Sequence, residues 1–161
     1  MVNYYCHEIT EVSDGLFVSG ILDVEQMVQM GMDVLVPLAF LNGNIWNTGF
    51  RGEILYYPIE DYGVLPDDIL ERLVEEIIAQ LESGKRVGLF CSGGHGRTGY
   101  VAACVLIRQG VENPISYLRG RYCRHAVESQ EQWEAIRRFM ENQLLRMEEE
   151  REQLENQGFI F

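Results

Sequence analysis

Long apolar runs are missing from this sequence: none approaches the roughly 18 residues needed to span a bilayer, so no membrane partner is expected. The opening residues, Met1 to Glu8, lack both the basic start and the apolar stretch of a secretory signal, which points to a cytoplasmic chain. The four cysteines, Cys6, Cys91, Cys104 and Cys123, show no zinc-ligand spacing and no Cys-x-x-Cys pair, so no metal is expected of them. In a reducing compartment they read as buried or free thiols, except where neighbours say otherwise. Positive charge is also scarce. Thirteen Lys and Arg face 25 Asp and Glu, leaving a net charge of −12. A phosphate polymer meets long-range repulsion from such a surface, which argues against nucleic acid as a partner. Three of the few cations, Arg119, Arg121 and Arg124, fall close together, as a small phosphate-binding patch or as a solvated helix end.

What is present fits one domain. The chain has 161 residues, 47% hydrophobic and 24% charged, enough for an independent core. Asp14-Gly15 marks a turn before the short apolar run Leu16-Phe17-Val18. Ile21 to Met30 has helical apolar spacing, stopped by Gly31, and Val34-Leu35-Val36 reads as a buried strand. Leu41 to Gly52, rich in glycine and asparagine, reads as a loop, and Ile54 to Tyr57 as a fourth strand ended by Pro58. The clearest helix runs from Pro66 to Ser83, with apolar residues at 69, 70, 73, 74, 77, 78 and 81 on one face. Asp67 and Asp68 complement its positive N-terminal end. Val87 to Phe90 lacks alternation and reads as a strand buried on both faces.

Helical spacing resumes at Tyr100 to Gln109. A further helix starts at Asn113-Pro114, and the last begins near Ser129, with Glu131 and Gln132 available for a capping box. Residues 1–147 are expected to form the domain and 148–161 a charged helical extension or tail. Short strands alternating with helices predict an α/β fold of three layers, a mostly parallel central sheet flanked by helices.

The chemistry concentrates in Phe90-Cys91-Ser92-Gly93-Gly94-His95-Gly96-Arg97-Thr98-Gly99, between a buried strand and a helix. Its glycines let successive backbone N–H groups turn toward one centre, an anion nest. The following helix adds its N-terminal donors and positive dipole end. Cys91 at the strand end therefore sits where a thiolate is stabilised and can act as nucleophile. Arg97 supplies a planar fork able to grip two phosphoryl oxygens, and Thr98 brings a hydroxyl near the cysteine.

These residues carry a resemblance. Cys91-x5-Arg97-Thr98-Gly99 resembles the signature loop of the protein tyrosine and dual-specificity phosphatase superfamily, and the likeness extends over roughly residues 12 to 140. Asp14 to Gly20 resembles the opening strand of small dual-specificity phosphatases. Tyr57 to Val64 resembles their general-acid loop, and Ala126 to Gln132 their approach to the last helix. The resemblance implies Asp61 as general acid, with Ser92, Gly93, Gly94, His95, Gly96 and Arg97 binding phosphate, and Gln132 (or Gln130) as a candidate to position the hydrolytic water. Glu60, Asp67 and Asp68 are weaker candidates for the acid. The implied activity is hydrolysis of phosphotyrosine in proteins, with phosphoserine and phosphothreonine as further substrates, through a phosphocysteine and without cofactor. Phosphate, sulfate or vanadate is expected in the loop. Phe90 departs from the pattern, standing where many members carry a histidine that supports the loop.

Two other readings of the loop fail. Gly94-x-Gly96-x-x-Gly99 matches a dinucleotide fingerprint literally, but no second strand ending in an acid follows about 20 residues on. A nucleotide P-loop needs Gly-Lys-Ser/Thr, and here Gly96-Arg97-Thr98 has the wrong upstream spacing. A phosphate-binding module without turnover, or a phosphatase of phosphoinositides or small phosphoesters, remains the alternative. A mechanism built on Cys91 and Arg97 needs no metal. Activity is expected to survive excess chelator and to be blocked by vanadate. Loss with chelator and recovery on adding a divalent metal would contradict it.

Overall fold

The computed structural model describes residues 8–41 and 49–158. The sheet has five strands: β1 (Thr10–Ser13), β2 (Leu16–Gly20), β3 (Val34–Pro37), β4 (Glu53–Ile54) and β5 (Val87–Cys91), in the order β1-β2-β5-β3-β4. Only β1 runs antiparallel to its neighbour; β2, β5, β3 and β4 are mutually parallel. The helices are α1 (Val24–Gln29), α2 (Asp67–Glu82), α3 (Gly96–Arg108), α4 (Pro114–Arg121) and α5 (Gln130–Asn156). This is the three-layer α/β arrangement expected from the sequence.

Two apolar clusters fill the spaces between layers. The larger gathers Leu73 and Ile77 of α2, Leu89 of β5, Val101 and Val105 of α3, and Phe139 of α5. The smaller joins Val24 and Met27 of α1 to Phe17, Leu35 and Phe90. Thus β5 is apolar on both faces because helices cover both, as its missing alternation suggested. Because β5 is central, its carboxyl end opens between β2 and β3. That is the switch point where ligands bind in open α/β sheets.

Several expectations shift. β1 was not expected; Gly15, at φ 84°, makes the turn that folds Thr10–Ser13 back on β2. The predicted helix from Ile21 begins instead as a 3-10 turn, Ile21–Asp23. The fourth strand is shorter than Ile54 to Tyr57, although Leu55 and Tyr57 still donate to Leu35 and Pro37 of β3. The predicted loop Leu41 to Gly52 lies largely outside the described residues. α3 starts at Gly96, four residues before the apolar spacing begins, so the glycine-rich segment is already helical at its end. The capping box forms between Ser129 and Gln132, and α5 stays helical through the charged segment to Asn156. No helix among the described residues is long and apolar enough to cross a membrane.

Leu73 is fully buried between α2 and the sheet. Leu73→Ala is expected to lower stability by about 2–5 kcal/mol, read from urea denaturation.

Candidate active site

The loop from Cys91 to Arg97 hangs between the end of β5 and the start of α3, and its neighbours leave it little freedom. Ile21 N–H donates to the Ser92 carbonyl (3.1 Å), and both Gly99 N–H and Val127 N–H donate to the His95 carbonyl (2.9 and 3.1 Å). The Tyr122 hydroxyl donates to the Gly94 carbonyl. Burial pushes the Tyr122 phenol well above its ordinary pKa, with the negative potentials of Cys91 and Asp23 adding to it, so it stays a neutral donor. Gly94 sits at φ 82°, and a Cβ there would lie 2.6 Å from Gly20 N and 2.7 Å from the Tyr122 hydroxyl. Only glycine fits both the backbone conformation and the space.

A pocket of about 240 Å³ opens at this loop. It is lined by Cys91, Ser92, Gly93, His95, Gly96 and Arg97 from the loop, Asp61 and Tyr62 from the opposite segment, and Glu128. Seven residues expected from the sequence thus share one cavity with Cys91 near its floor, only 2% exposed. The other three stand behind the wall. Gly94 bends the loop; Thr98 is fully buried, its hydroxyl without a hydrogen-bond partner; Gln132 is fully buried.

The Gln132 amide is engaged by backbone on both sides of the pocket wall. Its oxygen accepts from the N–H groups of Glu128 (3.0 Å) and Ser129 (3.2 Å), and its nitrogen donates to the Gly63 carbonyl (3.2 Å). The Ser129 hydroxyl likewise donates to the Tyr62 carbonyl (2.7 Å). The start of α5 therefore clamps the segment carrying Asp61. Gln130 is exposed and bonds only Glu134.

Arg97 ties that segment down from the other side. Its guanidinium is buried, donates to the Ile59 carbonyl (2.8 Å), and lies 3.6 Å from an Asp61 carboxylate oxygen. Asp61 itself is mostly solvent-accessible, its side chain 64% exposed, and accepts from Tyr62 N–H. Tyr62 and Val127 are the two non-glycine residues at positive φ among those described (64° and 66°). Each such conformation costs roughly 1–3 kcal/mol and persists only when contacts over-determine it. One borders the pocket; the other holds the loop through His95.

Sequence reasoning missed Glu128 and Tyr122 as functional residues. Glu128 Oε1 lies 2.8 Å from His95 Nε2 at the pocket edge, while His95 Nδ1 is buried and unbonded. Glu128 does lie in the segment before the last helix that resembles the phosphatases; nothing in the sequence signals Tyr122. Of the arginine cluster, Arg119 and Arg121 are engaged within the domain, while Arg124 is exposed. Arg119 donates to the carbonyls of Ala126 and Val127 and stacks on Trp133, and Arg121 donates to Glu11 and stacks on Tyr117. Phe90 packs in the smaller apolar cluster and sends no polar group to the loop. Cys104 is buried in the core, where burial foremost, and then Glu71, push its thiol up, so it stays protonated. Cys6 lies outside the described residues. Among those described, no group of three His, Cys, Asp or Glu is placed to hold a metal ion.

Tyr122→Phe removes the donor that anchors Gly94. The variant is expected to lose about 1–3 kcal/mol of stability in urea, the cost of a buried carbonyl left unbonded. Unchanged stability would mean that the loop holds its shape without the Tyr122 hydroxyl.

An uncharacterized protein of Methanocaldococcus jannaschii, MJECL20, is 43% identical over 90 residues, covering 56% of this chain and 61% of that protein. The chain thus spans about three fifths of that relative's length. The crystal structure of Tk-PTP in its active form matches with a TM-score of 0.72 at 23% identity, over 83% of this chain and 96% of that one. A mouse dual specificity phosphatase complexed with zinc tungstate matches with a TM-score of 0.71 at 16% identity, over 86% and 90%. At such identities these structures speak for the fold. Residues 21–153 match the family described as Swiss Army Knife protein, DSP-PTPase phosphatase domain. The chain belongs to this PTP-SAK family, within the protein tyrosine and dual-specificity phosphatase superfamily.

Proposed function

We propose that the chain is a cysteine-dependent phosphatase acting on phosphotyrosine in proteins, with phosphoserine and phosphothreonine as further substrates. The observation that carries this reading is the convergence of Cys91, Arg97 and Asp61 on one small pocket beneath a glycine-rich loop. A non-catalytic binding module has no use for a carboxylate held 3.6 Å from the phosphate-gripping guanidinium. That the mouse protein of the same fold is complexed with zinc tungstate fits an oxyanion site.

In the first step Cys91 Sγ attacks phosphorus in line, forming the S–P bond as the ester P–O bond breaks. The backbone N–H groups from Ser92 to Gly96 and the Arg97 fork stabilise the equatorial oxygens, and Asp61 protonates the departing oxygen. In the second, water attacks the phosphocysteine with Asp61 as base, and the sulfur leaves as thiolate. The buried, unbonded Thr98 hydroxyl is assigned to stabilise that leaving sulfur. Ser92 and Gly93 line the same pocket. The exposed Tyr62 ring at the rim is suited to lie against an aromatic leaving group, favouring phosphotyrosine. Glu128 and Asp61 at the same rim disfavour substrates bearing several phosphates, such as phosphoinositides.

Two variants test the reading. Cys91→Ser should abolish turnover while leaving the fold intact. Asp61→Asn should slow phosphoserine hydrolysis by roughly 10²–10⁴-fold, phenyl phosphate less and an activated nitrophenyl ester least. Equal losses on all three substrates would mean that Asp61 shapes the pocket without transferring a proton. Steady-state turnover by Cys91→Ser would refute the nucleophile.

A further inference from the structure

The last helix carries a face that the domain leaves open. α5 packs through Gln132, Ala135, Ile136 and Phe139, and its final tie to the body is Arg146 to Glu71 at 3.1 Å. Beyond Arg146 every described residue is exposed as far as Gly158. A purely solvated extension needs no apolar side chains, yet Met147 and Leu154 stand 56% and 37% exposed.

These two belong to a pattern. Trp133, Met140, Met147 and Leu154 recur at seven-residue intervals, with the exposed Leu144 between the middle pair. Immediately after each stands a glutamate: Glu134, Glu141, Glu148 and Glu155. A strict seven-residue period drifts only ~20° per repeat on an α-helix, which is the seam of left-handed helix pairing. At its N-terminal end the seam opens into a groove of about 690 Å³ between α4 and α5, lined by Pro114, Ile115, Arg119, Trp133, Ile136 and Met140.

We propose that this face, from Trp133 to Leu154, is a docking site for a basic amphipathic helix of another protein. Apolar residues of that helix would enter the seam and the groove, and its Lys or Arg side chains would lie along the glutamate row. A second copy of this chain fits poorly. In an antiparallel pair the glutamate rows would face each other. In a parallel pair they would face the opposite flank, Ile136, Gln143 and Glu150, which offers no cation. Arg137 and Arg151 within the seam are held only loosely, 4.0 Å from Glu141 and Glu155 of their own helix. With a net charge of −12, two copies also repel at long range.

The test uses the full chain and three labelled synthetic peptides of about three heptads. One has Leu at the seam positions and Lys on the flanks, the second replaces Lys by Glu, and the third scrambles the first. Fluorescence anisotropy should report binding of the Lys peptide at least ~10-fold tighter than either control, weakening as added salt screens the flanking charges. Met147→Lys with Leu154→Lys should weaken it by a similar factor, while circular dichroism and phosphoester hydrolysis stay as in the parent. Glu141→Lys, Glu148→Lys and Glu155→Lys together should reverse the preference toward the Glu peptide. Equal binding of all three peptides, or no loss in the double variant, overturns the proposal. So does a dimer in sedimentation equilibrium that the double variant dissolves, which would assign the face to a second copy.

Discussion

The site depends on one buried cation. Arg97 enters the interior at the first turn of α3 and meets there the carbonyl of Ile59 and, further out, the carboxylate of Asp61. A guanidinium out of water is costly unless its donors are matched. Here the match comes from the segment that also carries the acid. The group proposed to grip phosphate therefore holds in place the segment of the group proposed to protonate the leaving oxygen. Removing either contact would leave a buried charge with too few partners, and that binds the two halves of the pocket together more firmly than the exposed ion pair alone could.

A chain of charge −12 can still present a positive site because the positive potential is local. The loop concentrates backbone N–H groups, the dipole of α3 and Arg97 within one turn of the helix start, where low accessibility limits screening. Acidic residues dominate the surface at large. At the pocket edge Glu128 and Asp61 add two more, so the cradle is cationic at depth and anionic at its mouth.

Local features were legible in the sequence; long-range ones were not. The glycine-rich turn, the cysteine at the strand end and the helix after it are neighbours in the chain, and their chemistry reads directly. α2 was equally plain, because its apolar stripe is set by a single face. By contrast, Tyr122 meets Gly94 across 28 residues and Gln132 meets Gly63 across 69. No periodicity carries such pairs. Gln132 reads in the sequence as a candidate for handling water, and the two segments its amide joins are invisible there. Arg119 suggested an anion patch because charge alone was visible, whereas its carbonyl partners appear only when α4 folds against the approach to α5. β1 escaped notice because Thr10–Ser13 alternates too briefly, and its pairing with β2 is set by the turn at Gly15.

The clamp at the start of α5 serves two segments at once. Ser129 and Gln132 cap their own helix and, with the same side chains, hold the carbonyls of Tyr62 and Gly63. The capping box and the docked acid segment are thus one cooperative unit, assembled from pieces more than sixty residues apart. Both bonds span more than sixty residues, so the segment carrying Asp61 is docked only where the start of α5 is in place. Loosening the first turn of α5 would therefore release the segment that carries Asp61 as well as fray the helix end.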